Sequence, residues 1–532
     1  MKKSLLYKLL ALLAALTLVV AACGNDDDDD GAASPAPEAT EAPMEDDDDH
    51  EHEDDDDHEH EDDDDHEHED DDDHEHEDDD DHEHEDDDDH EHEDDGDHEH
   101  EDDGDHEHEE DGDHEHEEDD DHEHEEDEEP MDDGEMATSR TWGAFTYEID
   151  FEPSTRGVSD DTVRLGAMTQ DALYGGFTDG IDARLGRANR DGELPGGRQV
   201  ELVQYVDDGS DPQANFEGAR SMVENDEVFG IMVTSAVSLP QTTDYLAENQ
   251  VPFTGWGFMP GFCAPNDWGF GFNGCLSGYA FGVEGADPLV SVQNIWYDFF
   301  GTEDIQVGIF NSDDDAGRAG HALYETLWAG KLAFNDFVPT QTAGGITDST
   351  RFVNTVLEHN PDLVILSTDF AGAITLKASI AASGYEGPVA DYLTYVPGLP
   401  GSSPDLGQAL EGGYAVTQVP PVEDSSQPAI QQLLADYEAV GAFPGFGSLV
   451  GYWSADLMIQ MIAAAGEDLN TASFYQAVNI DGFATTQQSG GLGSVKWPAD
   501  HVIAPDCTGM VQVVDAEYAV AYDFVCYGDP DR

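Results

Sequence analysis

Apolar positions follow two regimes along the chain. From residue 163 onward, short apolar runs alternate with stretches in which apolar residues recur every three or four positions, the pattern of strands alternating with amphipathic helices. Strands are predicted at 163–168, 201–206, 228–233 and 251–254, with helices at 177–189, 212–224 and 239–249 between them. After a Gly- and aromatic-rich loop holding two cysteines, helices are predicted at 291–300, 316–330, 350–359, 371–383, 428–440 and 449–465. The strands of this second stretch read 306–310, 363–367, 388–391 and 413–418. Such alternation gives an α/β fold with parallel sheets covered on both faces. Nearly 400 residues exceed one such sheet, so two doubly wound lobes are expected. Residues 142–159 read as a short lead-in strand or turn.

The first 162 residues obey other rules. Met1-Lys2-Lys3 followed by an apolar run over 9–22 reads as a secretory signal, too short for a comfortable membrane span. The run ends Val20-Ala21-Ala22-Cys23-Gly24, which resembles the lipobox of bacterial lipoproteins. That resemblance implies cleavage after residue 22, lipidation of Cys23 and anchorage to the outer face of the cell membrane.

From Asp46 the chain repeats Asp-Asp-Asp-Asp-His-Glu-His-Glu with period eight. Residues 45–129 hold 62 acids, 20 of the 23 histidines and three glycines. Such a segment has almost nothing to bury and repels itself, so residues 23–138 are expected to form a disordered tether. At about 3.3 Å per residue its limit is roughly 380 Å. Alternating imidazoles and carboxylates also suit weak, dispersed capture of Zn²⁺, Ni²⁺ or Cu²⁺. The pairs His50/His52, His58/His60 and on through His122/His124 are the candidate ligands. No cofactor is required by this reading; a divalent metal on the tract is the one candidate.

The formal charge of −109 belongs mostly to this tract, yet residues 130–532 still carry 57 acids against 14 bases, a net −43. A surface so acidic argues against nucleic acid as a partner. Only Lys331, Lys377 and Lys496 are lysines there, a composition suited to high external salt. Setting Cys23 aside, four cysteines remain, and their local spacings suggest bridges Cys263–Cys275 and Cys507–Cys526 in an oxidising exterior. The second pair brackets a strand pair turning near Asp515-Ala516-Glu517.

In open parallel sheets ligands sit beyond the carboxyl ends of the strands, which nominates loops 169–176, 234–238, 255–258, 311–318, 368–370 and 392–398. At this point the chain resembles a known family. Val163-Arg-Leu-Gly-Ala-Met, Arg187-Ala188-Asn189, Gly196-Gly197-Arg198, Asp207-Asp208 with Asp211-Pro212, Val228-Phe-Gly-Ile and Val251-Pro252-Phe253 follow its order. So do Val307-Gly-Ile-Phe-Asn311, Asp362-Leu-Val-Ile-Leu and Glu411-Gly412-Gly413. The family is the type I periplasmic binding proteins of the branched-chain amino-acid (Leu/Ile/Val-binding) group, solute receptors of ABC importers. The resemblance implies two lobes joined by three crossings, a small-molecule ligand in a hinged cleft and an ABC permease as partner. It places one lobe at 139–285 plus about 414–500, the other at 286–413 plus about 501–532.

Carried over residue by residue, Thr234, Ser235 and Ser238 keep the hydroxyl chemistry that this family offers a substrate carboxylate. The next loop reads Gly255-Trp256-Gly257-Phe258 and lacks the family's threonine. The second lobe's Asp-x-x-Tyr-Gly reads Asp313-Asp314-Asp315-Ala316-Gly317 and lacks its tyrosine. Asp369 or Asp391 stands where an ammonium partner is expected, and Tyr174, Trp256, Phe258, Phe370 and Tyr392 supply aromatic walls suited to a larger or cationic ligand. Each has a plainer alternative. Trp256 and Phe258 pack under the cysteine loop, Asp369 caps a helix, and Thr234 and Ser235 serve turn backbone groups. Two further functions compete with ligand delivery: metal recruitment through the tract, and ligand sensing without transport. No Gly-x-Ser-x-Gly, His-Glu-x-x-His or Gly-x-x-x-x-Gly-Lys pattern occurs, so no enzyme is expected.

Overall fold

The computed structural model describes residues 137–341, 344–485 and 494–528. The signal peptide, Cys23 and the repeat histidines His50 to His124 lie outside the described residues, as does nearly all of the expected tether. A hairpin of β1 (Ser139–Trp142) and β2 (Phe145–Glu148) precedes two α/β lobes.

The first lobe holds β3 (Thr162–Thr169), β4 (Gln199–Asp207), β5 (Gly230–Thr234), β6 (Phe253–Gly255) and β7 (Gly269–Gly271) in the order β4-β3-β5-β6-β7, all parallel. Its connecting helices are α1 (Asp171–Tyr174), α2 (Phe177–Asp191), α3 (Pro212–Glu224) and α4 (Pro240–Glu248). Helix α3 starts where the sequence marks it: Pro212 needs no backbone partner, and the Asp211 carboxylate accepts from Gln213 N at 2.9 Å.

The second lobe follows with α5 (Ser291–Phe300), β8 (Val307–Ser312), α6 (Asp315–Leu327), β9 (Leu332–Val338), α7 (Thr350–His359), β10 (Leu363–Ser367), α8 (Phe370–Ala382), β11 (Val389–Asp391), α9 (Pro404–Leu410) and β12 (Tyr414–Thr417). The chain then returns to the first lobe as α10 (Pro428–Val440), α11 (Phe446–Ala464) and α12 (Thr471–Tyr475), and a two-residue pair, β13 (Phe483–Ala484) and β14 (Lys496–Trp497). Strands β15 (Cys507–Val514) and β16 (Glu517–Cys526) close the second sheet, ordered β16-β15-β12-β11-β10-β8-β9. The chain therefore passes between lobes three times, after β7, after β12 and before β15. Strand β12, expected to open the returning segment at about residue 414, instead pairs parallel with β11 and antiparallel with β15, so that crossing falls after Thr417.

Helix α11 is buried along most of its length, because α2 packs on it without intervening side chains. A Cβ on Gly180 would stand 1.8 Å from Ser448 O, and one on Gly451 2.0 Å from Phe177 O. Only glycine admits this approach. Beside it, Arg184 Nε donates to Asp456 Oδ1 at 2.5 Å, and Arg187 donates to Asp436 Oδ2 at 2.9 Å and to the Tyr452 hydroxyl at 2.7 Å. Pairing of this kind is what makes burial of these charges tolerable. Both expected disulfides form, Cys263–Cys275 beneath the first crossing and Cys507–Cys526 between β15 and β16. No described helix is long and apolar enough to cross a membrane.

Candidate functional site

A cavity of about 340 Å³ lies between the lobes at the carboxyl ends of both sheets. One wall is aromatic. In Gly255-Trp256-Gly257-Phe258 the alternation of the chain sends both rings to one side and both glycines to the other. There a Cβ on Gly255 would stand 1.9 Å from Val233 O, and one on Gly257 1.8 Å from Gly274 O. Trp256 packs at 4.6 Å from Phe258 and 5.3 Å from Phe446, with Tyr174 behind at 6.3 Å. Such ring pairs each add about 0.5–1.5 kcal/mol beyond the area they bury. Burial, with Asp208 nearby, raises the Tyr174 phenol well above its ordinary value.

The other walls come from Leu239, Leu276 and Phe281 in the first lobe and its cysteine loop, and from Leu323, Tyr324 and Val416 in the second. Gln418 lies just past β12, and its Oε1 accepts from Trp256 Nε1 at 2.7 Å, so one hydrogen bond spans the cleft between two lining residues. Just beyond, the Tyr395 hydroxyl donates to Glu423 at 2.6 Å and accepts from Val422 N at 2.8 Å, fastening the second crossing. Burial raises the Glu423 carboxyl above its usual range.

Among the nominated residues, Trp256, Phe258 and Tyr392 line the cavity. The others lie elsewhere. Thr234, Ser235 and Ser238 are buried with their hydroxyls turned inward. Thr234 Oγ1 donates to Val233 O at 2.8 Å, Ser235 Oγ accepts from Val237 N at 3.2 Å, and Ser238 Oγ accepts from Asn215 Nδ2 at 3.0 Å. Phe370 opens α8 outside the cavity lining, and the Asp315 side chain lies outside the described residues.

Neither nominated ammonium partner reaches the cavity. Asp369 caps α8, accepting from Gly372 N at 2.7 Å and Gln341 N at 2.6 Å. Asp391 is 1 % exposed; it pairs with Lys377 and accepts from Leu393 N at 2.7 Å and from Thr394 N and Oγ1 at 2.6 Å each. Lys377 completes the knot by donating to Thr394 Oγ1 at 3.0 Å and Tyr414 O at 2.7 Å. In consequence no described residue lining the cavity is charged.

Sequence reasoning passed over Leu239, Leu276, Phe281, Leu323 and Gln418. Apolar side chains facing a cleft carry the same signature as those facing a core. Among the described residues no group of three His, Cys, Asp or Glu side chains could hold a metal. The remaining histidines do not converge. His321 stacks on Phe337, while His501 is buried against Tyr147, Phe270 and Trp497 and is held neutral, its value pushed down to about 3 by burial.

Two α/β lobes, three crossings and a half-open cavity between them at the strand ends are the architecture of a solute-binding protein. More particularly, the chain belongs to the periplasmic binding protein family, whose sequence profile matches residues 169–517. That membership places the chain outside the cytoplasm. No curated protein matches it by sequence. Solved structures share the fold. A leucine-binding protein from Thermotoga maritima aligns with a TM-score of 0.52 at 15% identity, over 69% of this chain and 99% of its own. A substrate-binding protein of an ABC transporter from Aeropyrum pernix aligns with 0.57 at 13%, over 70% and 97%. A solute-binding protein from Rhodopseudomonas palustris, solved with 3,4-dihydroxybenzoic acid, aligns with 0.54 at 16%, over 70% and 99%.

Proposed function

We propose that this protein captures a small, uncharged, largely apolar organic solute in the cleft and delivers it to an ABC importer. The observation that carries this reading is the cavity lining, which is rich in aromatic and aliphatic side chains and holds no charge. A buried carboxylate or ammonium without a partner costs several kcal/mol. Free amino acids carry both, and the two acids that could have received an ammonium are bound into the second lobe. Aromatic compounds and neutral amides fit better than amino acids or amines. The lipobox-like Val20-Ala21-Ala22-Cys23-Gly24 supports anchorage of the mature protein to the bilayer through Cys23, and family membership supports a permease as its partner.

A thermal-shift screen of the mature protein tests the ligand class, using neutral aromatics, amides, aromatic acids, amino acids and polyamines. A ligand at a hundred times its Kd adds about 2.7 kcal/mol. Stabilisation by amino acids or polyamines alone would overturn the proposal. For the repeat, we propose weak, dispersed binding of Zn²⁺, Ni²⁺ or Cu²⁺ by His50, His52, His58, His60, His122, His124 and their counterparts. Calorimetry of a 45–129 peptide that releases no heat at micromolar metal removes that idea.

A further inference from the structure

One corner of the cavity is polar, formed where β8 and β10 end beneath α6. Asn311 and Ser367 are paired neighbours on these strands. Gly320 on α6 faces them: a Cβ there would stand 3.5 Å from Ser367 Oγ and 3.8 Å from Asn311 Oδ1. The Tyr324 phenol stands beside Ser367 and Tyr392. Gly320, Tyr324, Ser367 and Tyr392 all line the cavity.

The orientation of the Asn311 amide follows from its neighbours. Asn335 Nδ2 donates to His321 O at 3.2 Å, which turns Asn335 Oδ1 toward Asn311 Nδ2, 2.7 Å away. Asn311 is therefore fixed as a donor on that side, and its Oδ1, fully buried, is left without a hydrogen-bond partner. The Tyr392 hydroxyl is buried against the Tyr324 phenol, its close polar neighbour, and their geometry falls short of a full hydrogen bond. Burial, reinforced by Tyr324 and Asp391, raises the Tyr392 phenol well above its ordinary value, so it remains an O–H. Leaving an oxygen such as that of Asn311 unpaired costs about 1–3 kcal/mol.

We infer that this corner is a subsite for a hydroxyl group, and that the solute is an apolar or aromatic molecule bearing an alcohol or phenol. A hydroxyl both donates, as Asn311 Oδ1 demands, and accepts, as Tyr392 and Ser367 allow. A carboxylate offers acceptors only; it meets the bare Asn311 oxygen with like polarity and finds no cation among the lining residues. An ammonium can donate to Asn311 Oδ1, but it accepts nothing and finds no counter-charge among the lining residues. Discrimination of this kind is steep, because a site built for a hydroxyl is left with unpaired groups when the hydroxyl is missing. This inference rests on the cleft being the ligand site.

The test uses four probes with the same aromatic body: 2-phenylethanol, propylbenzene, phenylacetate and phenethylamine. Their affinities for the mature protein are read from the emission of Trp256, which lines the cavity, against a Trp256→Phe control. The alcohol should bind at least tenfold more tightly than the hydrocarbon and both ions. Gly320→Ala adds a methyl at ordinary contact distance, so the fold accepts it while the corner is filled. In that variant, and in Tyr392→Phe, the ratio of alcohol to hydrocarbon affinity should fall toward one while the hydrocarbon affinity stays within threefold. Equal binding of alcohol and hydrocarbon, or preference for either ion, overturns the hydroxyl subsite and leaves the cleft reading standing. Failure of all four at millimolar concentration overturns the cleft reading and the subsite together.

Discussion

Replacing Lys377 with Met separates two roles for Asp391. Within the second lobe the Asp391 carboxylate is paired with Lys377 and is 1 % exposed. Removing one partner of a buried ion pair typically costs about 3–5 kcal/mol, because the remaining charge has neither water nor counter-ion. Asp391 keeps its hydrogen bonds from Leu393 N, Thr394 N and Thr394 Oγ1. The cost should therefore fall at the lower end, about 3 kcal/mol. For a lobe of this size each kcal/mol moves Tm by about 2–4 °C, so a fall of about 6–12 °C is expected in calorimetry. The double variant Lys377→Met/Asp391→Asn should recover part of the loss, since the uncompensated charge is gone. Ligand affinity in Asp391→Asn should change less than threefold, because Asp391 is not among the residues lining the cavity. A Lys377→Met protein with unchanged Tm, together with an Asp391→Asn protein that loses ligand, would refute the structural role. It would restore Asp391 as the group that reads the solute.

Three more outcomes follow from the same physics. Burial lowers the His501 value in the folded protein to about 3, against about 6.5 in an unfolded chain, so its contribution to stability is full above pH 6.5 and is lost as pH falls toward 3. Urea midpoints should drop from pH 6.5 to 5, by up to about 1.4 kcal/mol per pH unit and partly offset by the raised carboxyls of Asp267 and Glu423; a flat profile that stays flat in His501→Gln contradicts this. Gly451→Ala forces α2 and α11 apart and should cost about 1–3 kcal/mol or more, seen as a lowered urea midpoint, whereas Gly412→Ala, with nothing near its Cβ, should cost only the strain of its positive φ. Raising NaCl from 0.1 to 1 M shortens the screening length from about 10 to about 3 Å and should stabilise so acidic a chain; a lower Tm in salt would contradict that.

The fold was legible where local chemistry and tertiary packing agree. Helices at 212–224, 291–300, 350–359 and 428–440 and the strand at 363–367 have the bounds the sequence predicts, each framed by a proline, glycine or asparagine that admits one reading. Strand β9 escaped notice because Asn335 and Asp336 interrupt its apolar run, and β7 because Gly-Phe-Gly looks like a turn until Phe253 and Gly255 lie beside it. At the cleft, Trp256, Phe258 and Tyr392 were accessible because strand ends are where ligands meet such folds. Asp369 and Asp391 looked the same by that rule. The helix cap that Asp369 makes was the plainer local alternative, whereas Lys377, the partner of Asp391, comes from another element that no local pattern announces. The polar corner is harder still, since Asn311 reads as an ordinary strand end until Asn335 fixes its amide.

The two late segments bear on how the molecule comes into being. The apolar face of α2 (Phe177, Ile181, Leu185) and the guanidinium of Arg184 wait for α11, and β12 stays an open edge until β15 arrives. Neither lobe can finish while its own last strand or helix is still to come, and those pieces lie in the final hundred-odd residues. Each lobe is thus closed by contacts between segments far apart in sequence, the slow kind of contact to form. Loss of the pair β15 and β16 would leave β12 as a bare edge of the second sheet.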